Sequence, residues 1–248
     1  MDLPGYTDAL INAVVEANPR AAVVIQCGTP VTMPWADKVA AIVHSSYGGN
    51  EGGNAIGDVL FGAKNPSGKL PLSFPRRLED NPAFLNYRSE NGRALYGEDV
   101  YVGYRYYQKV KLAPLFPFGH GLSYTRFELH NLQVSQTDES ISVSAEVENV
   151  GDVSGATVAQ VYVSQQQPSI NRPLKELKGF KKVFLEAGEK KRISVDISLK
   201  YAASYWDEEA DKWIMEEGGY DVLVGQSSEM TNLAGTISVL KTSWWSGL

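Results

Sequence analysis

One cysteine in 248 residues, Cys27, leaves this chain with no intrachain disulfide and no clustered thiolates for a structural zinc site. Histidine is nearly as scarce: His44, His120 and His130 are the only three. None is spaced i, i+4 with another or with a carboxylate pair, so no metal cluster and no metal ligand is expected. Lys and Arg number 23 against 29 Asp and Glu, a formal net charge of −6. Such a balance does not offer the basic patch that displaces counterions from nucleic acid or an anionic membrane, so neither partner is expected. No apolar run reaches the length that spans a bilayer. Met1-Asp2-Leu3-Pro4-Gly5 has neither the basic nor the apolar region of a signal peptide. No Asn-x-Ser/Thr acceptor occurs, because Pro66 blocks the near match at Asn65. These absences lean towards a cytoplasmic address, although a fragment takes its address from elsewhere.

Hydrophobic residues make up 43% of the chain, enough for a packed core, and the length suits one large domain or two ordinary ones. The N-terminal part alternates helix and buried strand. Thr7 is placed to cap a helix running to about Ala17, with Leu10, Ile11, Val14 and Val15 on one face. Asn18-Pro19 stops it. Ala21 to Cys27 and Val39 to Val43 are short continuous apolar runs, the pattern of strands covered on both faces in a parallel sheet. Asn50 to Phe61 has helical periodicity with Ala55, Ile56, Val59 and Leu60 inward, and Gly62 ends it. Lys69 to Pro75 is extended, and its prolines confine it to an edge. The order α-β-β-α-β is a doubly wound piece.

Residues 76–117 lose that regularity, but their aromatic density argues for order. From about 123 the chain is all-β. Period-two alternation at 141–147, 159–163 and 191–197, with strands at 127–134, 183–185, 220–224 and 235–239, gives about seven strands. That count, with Gly-rich turns between, is the signature of an immunoglobulin-like sandwich. The antibody cysteine pair is absent, which favours the fibronectin type III form.

Each reactive residue type has a plain structural reading beside a functional one. His44 ends an apolar strand, where ligands of α/β sheets bind, but first reads as a hydrogen-bonded structural histidine. Cys27 also ends a strand, and the sequence shows no base beside it, so it reads as a small buried thiol. Gly48 to Asn54 resembles a phosphate-cradling loop but lacks both the P-loop ending and the G-x-G-x-x-G spacing. Glu51 would repel an anion there and instead suits the start of a helix. Glu90, Glu98 and Asp99 are candidates for a carboxylate pair in glycosidic chemistry, and read more simply as solvated loop charges. The aromatics of 87–107 suit packing between domains better than a sugar subsite.

Several motifs together resemble glycoside hydrolase family 3. One is Gly49-Asn50-Glu51-Gly52-Gly53-Asn54-Ala55 and on through Gly62, followed by Asn65-Pro66-Ser67-Gly68-Lys69-Leu70-Pro71 and on through Pro75. Another is Tyr101-Val102-Gly103-Tyr104-Arg105-Tyr106-Tyr107, followed by Pro114 to Thr125. Arg172-Pro173-Leu174-Lys175-Glu176-Leu177-Lys178-Gly179-Phe180, with Ala187-Gly188-Glu189, looks like the fibronectin type III-like domain of the same enzymes. The resemblance covers essentially the whole chain and is nearest to β-glucosidases of fungal type.

The resemblance implies a partial doubly wound α/β sandwich, with about three strands in place of a full sheet and therefore an uncovered edge or face, followed by a fibronectin type III-like β-sandwich. The expected domains are the C-terminal part of the α/β sandwich at 1–75, a tyrosine-rich connecting segment at 76–122, and the fibronectin-like domain at 123–248. It also implies that the barrel carrying the nucleophilic aspartate and the stretch carrying the acid/base glutamate match no residue here. The expected set of catalytic, cofactor-binding and metal residues is therefore none. Met1 matches an internal position of the family pattern, so a third reading is a longer natural protein whose start lies upstream. The expected partners are the catalytic barrel of the same enzyme and, for the whole enzyme, β-glucosides. No cofactor is implied, since the family's hydrolysis uses carboxylates and water. The competing reading, from a different class, is a stand-alone non-catalytic module that binds carbohydrate or protein.

Overall fold

Pro4-Gly5 breaks the chain, and the apolar periodicity after it forms helix α1 (Thr7–Ala17). Thr7 is the first helical residue and not the cap. Tyr6 holds that position, while the Thr7 hydroxyl donates back to the Pro4 carbonyl at 2.6 Å. The computed structural model describes residues 1–247, which divide into two compact units. The first unit comprises Met1–Lys64 with Leu70–Phe118, and the second Asn65–Lys69 with Gly119 onward.

In the first unit the apolar runs become strands β1 (Ala22–Ile25) and β2 (Ala41–His44). They pair in parallel, with Ala22 opposite Ala41 and Ile25 opposite His44. Among the described residues they form a two-stranded sheet, so each strand has a free edge. Burial is also thinner than the apolar runs suggest. Ile25 is buried, but Ala22 and Ala41 are exposed. The segment before Pro75 does not add a third parallel strand. Phe74 pairs instead with Phe116, donating its N–H to the Phe116 carbonyl at 2.8 Å.

Helix α2 (Gly52–Leu60) follows the glycine loop. Ile56 and Val59 are half-buried, whereas Ala55 and Leu60 face solvent, contrary to the inward face read from periodicity. The core of this unit gathers around Trp35, which is fully buried with Ile11, Ile25, Val31, Met33 and Phe74. The Trp35 indole N–H donates to Asp8 Oδ1 at 2.8 Å, so the one polar atom of the core's largest side chain is satisfied. In the tyrosine-rich stretch lie a single helical turn (Leu78–Asp80) and helix α3 (Tyr104–Lys109).

The second unit is a β-sandwich. Strands β3 (Phe127–Gln136), β4 (Ser140–Asn149) and β7 (Lys190–Ser198) form one sheet. Strands β5 (Gly155–Gln165), β6 (Glu176–Leu185), β10 (Gly218–Gly225) and β11 (Leu233–Val239) form the other, in the order β11-β10-β5-β6. These seven strands are the seven read from the alternation. Ile141, Val143, Ala145 and Val147 are buried in alternation along β4, and Ile141, Val143 and Val147 share one core with Val161, Val222 and Val224.

After the short helix α4 (Leu199–Ala203), a further three-stranded sheet is built from β8 (Ser204–Asp207), β9 (Lys212–Met215) and β12 (Ser243–Trp245). Sequence periodicity had not revealed it. Its register lines Trp206, Trp213 and Trp245 across one face. Trp213 and Trp245 stack at 5.5 Å, and Trp206 meets Trp213 edge-on at 5.6 Å.

Candidate functional site

Two parallel strands end at the same level in the first unit, and chemistry-bearing residues collect there. Register places His44 opposite Ile25, and Cys27 stands two residues beyond. The Cys27 thiol donates to the Thr29 carbonyl at 3.1 Å, and its Sγ lies 3.5 Å from His44 Nε2. The sequence showed no partner for Cys27; the structure supplies one 17 residues away. Burial pushes the Cys27 thiol up, so it rests protonated at neutral pH. The His44 ring stands edge-to-face against Phe74, centroids 5.3 Å apart.

The glycine loop lies after the end of β2. Glu51 occupies the cap position of α2, where its Oε2 accepts from Asn54 Nδ2 at 2.6 Å and its carbonyl accepts from the Ala55 N–H. A carboxylate at that point faces the positive end of the helix. Gly48 lies so close to Gly52 that a Cβ on Gly48 would stand 2.9 Å from the Gly52 Cα.

The acids of the tyrosine-rich segment do not gather. Glu98 Oε2 accepts from Asn86 Nδ2 at 3.4 Å, Glu90 bridges Arg93 through its backbone, and Asp99 sits in the left-handed region at φ 51°. The segment's aromatics divide sharply. Tyr107 is buried and Tyr104 packs on Phe118 at 4.9 Å, whereas Tyr87 and Tyr96 are more than four-fifths exposed. The acid that sequence reasoning passed over is Asp80, the only Asp or Glu buried to this degree among the described residues. Arg77 forks onto its Oδ1 at 2.7 and 3.2 Å. Tyr107 is pushed up to about 12, chiefly by burial and then by the Asp80 charge.

In the second unit, His120 is half-buried, and burial together with the Lys69 ammonium lowers its pKa. Lys69 is itself lowered by burial, and its Nζ donates to the Gly121 carbonyl at 2.6 Å. His130 does meet two carboxylates, against the expectation from its sequence neighbours. Its Nε2 lies 3.3 Å from Glu128 and 3.6 Å from Glu148, and Lys190 also holds Glu148 at 2.9 Å. Antiparallel pairing of β3 with β4 brings Glu148 there. Among the described residues no group of three or more His, Cys, Asp or Glu is arranged to hold a metal, and no helix is long and apolar enough to cross a membrane.

A polar network in the sandwich also escaped the sequence. The buried Arg172 donates to Gln165 Oε1 at 2.6 Å, the Ala203 carbonyl at 3.1 Å and Glu176 Oε2 at 3.2 Å, with its guanidinium over the Tyr205 ring.

Comparison with known proteins accounts for nearly all of this architecture. Residues 1–124 match the family model of the glycosyl hydrolase family 3 C-terminal domain, and 157–228 that of the fibronectin type III-like domain. A probable β-glucosidase I of Neosartorya fischeri is 54% identical over all of this chain, which corresponds to 30% of that protein. A crystal structure of a β-glucosidase from Kluyveromyces marxianus in complex with glucose superposes with a TM-score of 0.98 at 51% identity, over all of this chain and 30% of that one. β-Glucosidase 3B from Thermotoga neapolitana, in complex with α-D-glucose, gives 0.93 at 36% identity, covering 99% of this chain and 35% of that one. The chain thus spans about a third of the length of such relatives.

Proposed function

The chain belongs to glycoside hydrolase family 3, and from that premise we propose that it is the non-catalytic C-terminal portion of a β-glucosidase, a scaffold that completes and steadies a catalytic module. The parent reaction is hydrolysis of terminal, non-reducing β-D-glucosyl residues with retention. That chemistry needs two carboxyl groups about 5 Å apart, one as nucleophile and one as acid/base. The proposal assigns neither to these residues. Residues 1–75 serve as the end of the α/β sandwich, 76–122 as a connector and 123–248 as the fibronectin-like domain. The partner is the catalytic barrel of the same enzyme, with no nucleic acid, membrane or cofactor involved.

The observation that carries this reading is the full-length likeness of the chain to about 30% of β-glucosidases at 54% identity. Surface composition of the first unit supports it. Tyr6 at the cap of α1 and Leu10 and Val14 along it, together with Phe61, Leu85 and Tyr87, are exposed apolar side chains of a kind that usually marks a covered surface. The purified 248-residue chain, assayed with an aryl β-glucoside, is expected to show no turnover above background. Activity that survives repurification would refute the proposal. Exposed Trp206 and Trp244 on the extra sheet favour one other reading, a carbohydrate-binding module. A saturable change in tryptophan fluorescence with cellobiose would support that reading, and a flat titration would remove it.

A further inference from the structure

The strand ends of the first unit hold a pair of soft donors that the proposed function leaves unused. Cys27 Sγ and His44 Nε2 stand 3.5 Å apart. The approach is fixed from both sides: parallel register sets the strand ends level, and Phe74 abuts the imidazole ring. Tetrahedral zinc takes a thiolate at about 2.3 Å and an imidazole nitrogen at about 2.0–2.1 Å, which sets two such donors roughly 3.6 Å apart. Cys27 and His44 hold their two donor atoms at close to that separation. Both side chains are only half-buried, and the neighbouring Ser46 and Tyr47 are exposed, so a hydrated ion has a path to them.

We propose that Cys27 and His44 form a two-donor site for a thiophilic divalent cation of the zinc and cadmium type, with water completing the coordination. On binding, the S–H bond breaks, a sulfur–metal bond forms and the proton passes to solvent. The imidazole contributes the lone pair of Nε2, and nothing is oxidised or reduced. The Thr29 carbonyl, which accepts the thiol proton in the free chain, is released to water. Two protein donors make this an exchangeable site, distinct from the four-ligand clips that drive folding.

Cadmium chloride titrated into the 248-residue chain at neutral pH provides the test, read by the ultraviolet thiolate-to-cadmium charge-transfer band. One equivalent per chain is expected, displaceable by zinc, with the band lost in Cys27→Ser. His44→Gln is expected to weaken cadmium at least tenfold while one free thiol per chain still titrates. Unchanged affinity in that variant would overturn the proposal by reducing the site to a bare thiol, as would the lack of any saturable band up to millimolar cadmium. Should His44→Gln lose its packing against Phe74, the unaltered chain still decides. Its His44 ring-proton resonances must shift with the same single equivalent, and resonances that stay in place refute the site.

Discussion

Replacing Asn149 with alanine should unfasten one end of the sandwich. Asn149 closes β4 and is fully buried. Its Nδ2 donates to the carbonyls of Val153 at 2.8 Å and Glu186 at 3.0 Å, with a longer contact to Leu185 at 3.4 Å. Its Oδ1 accepts from the Thr125 hydroxyl at 2.6 Å and the Gly151 N–H at 3.2 Å. One amide thus ties the segment entering β3, the loop leaving β4 and the turn between β6 and β7. A buried hydrogen bond is worth about 0.5–1.5 kcal/mol net, and an orphaned buried partner costs about 1–3 kcal/mol. Leaving aside the long contact, four bonds at about 1 kcal/mol each put the loss near 4 kcal/mol. With a urea slope of about 2 kcal/mol/M, the unfolding midpoint should fall by about 2 M. Tryptophan fluorescence reads this unit well, because Trp206, Trp213, Trp244 and Trp245 all belong to it. Asn149→Asp is the sharper control. It keeps the shape and both acceptor contacts but turns carboxylate oxygen towards carbonyls, so it should cost at least as much as alanine. A midpoint shift below about 0.5 M for alanine, or a wild-type midpoint for Asp, would refute the assignment of stability to these bonds.

Tyr107 and Tyr220 are both pushed up to about 12, chiefly by burial, from an ordinary 10. Their folded-state values lie above the unfolded value, so the stability they confer is whole below pH 10 and drains away as pH rises towards 12. Unfolding free energy should therefore fall across that window, and a phenolate titration should show two tyrosines ionising late or only on unfolding; all 13 titrating near pH 10 would contradict the burial. Two glycine substitutions separate rigid from yielding neighbours. A Cβ on Gly225 would strike the Met230 backbone carbonyl, so Gly225→Ala should cost about 2 kcal/mol or more. The three atoms nearest a Cβ on Gly28 all belong to the far end of the exposed Tyr47 side chain, which a rotamer change moves aside, so Gly28→Ala should stay within about 0.5 kcal/mol. Thermal melts of both variants check the contrast, and equal losses would defeat it.

The sandwich was legible because three of its strands, β4, β5 and β7, carry period-two alternation, and apolar runs between turn residues mark the other four. Along β4, four inward side chains alternate with polar neighbours, and no other backbone period produces that pattern. The extra sheet was not legible because β8, β9 and β12 run only four, four and three residues. Over so short a span, period two cannot be told from chance, and the tryptophan row exists only once register is set. The site was illegible for a related reason. Cys27 and His44 lie 17 residues apart, and only parallel pairing makes them neighbours. Likewise, His130 meets Glu148 across an antiparallel pair, where no sequence spacing announces it. The families' motifs nonetheless carried the identity, because they include turn and loop residues, such as Gly49, Asn65 to Gly68 and Gly119 to Gly121, whose spacing survives without knowledge of what they touch.

The helices of the first unit erred in an informative direction. Periodicity put Leu10, Ile11, Val14 and Val15 on one face of α1, and the unit's own core uses only part of that arc. Ile11 is buried and Val15 packs beside it, while Leu10 and Val14 continue the exposed line from Tyr6 at steps of four residues. Leu60 and Phe61 at the end of α2 repeat the pattern. Fully burying a side chain of this size is worth about 1.5–3 kcal/mol, so an amphipathic arc wider than its core leaves stabilisation unrealised. A polypeptide surface that withholds this much apolar area, in a unit whose strand pair has two free edges among the described residues, fits the proposal that further structure covers it. The fibronectin-like unit also exposes apolar side chains, Phe180 and Phe184 on β6 among them, but its seven sandwich strands close on a single buried core. The exposed apolar line on α1 and α2 makes the scaffold proposal specific: a module docking on the first unit should protect α1 and α2 amides from hydrogen exchange and leave β4 and β5, whose inward side chains sit in the sandwich core, unchanged.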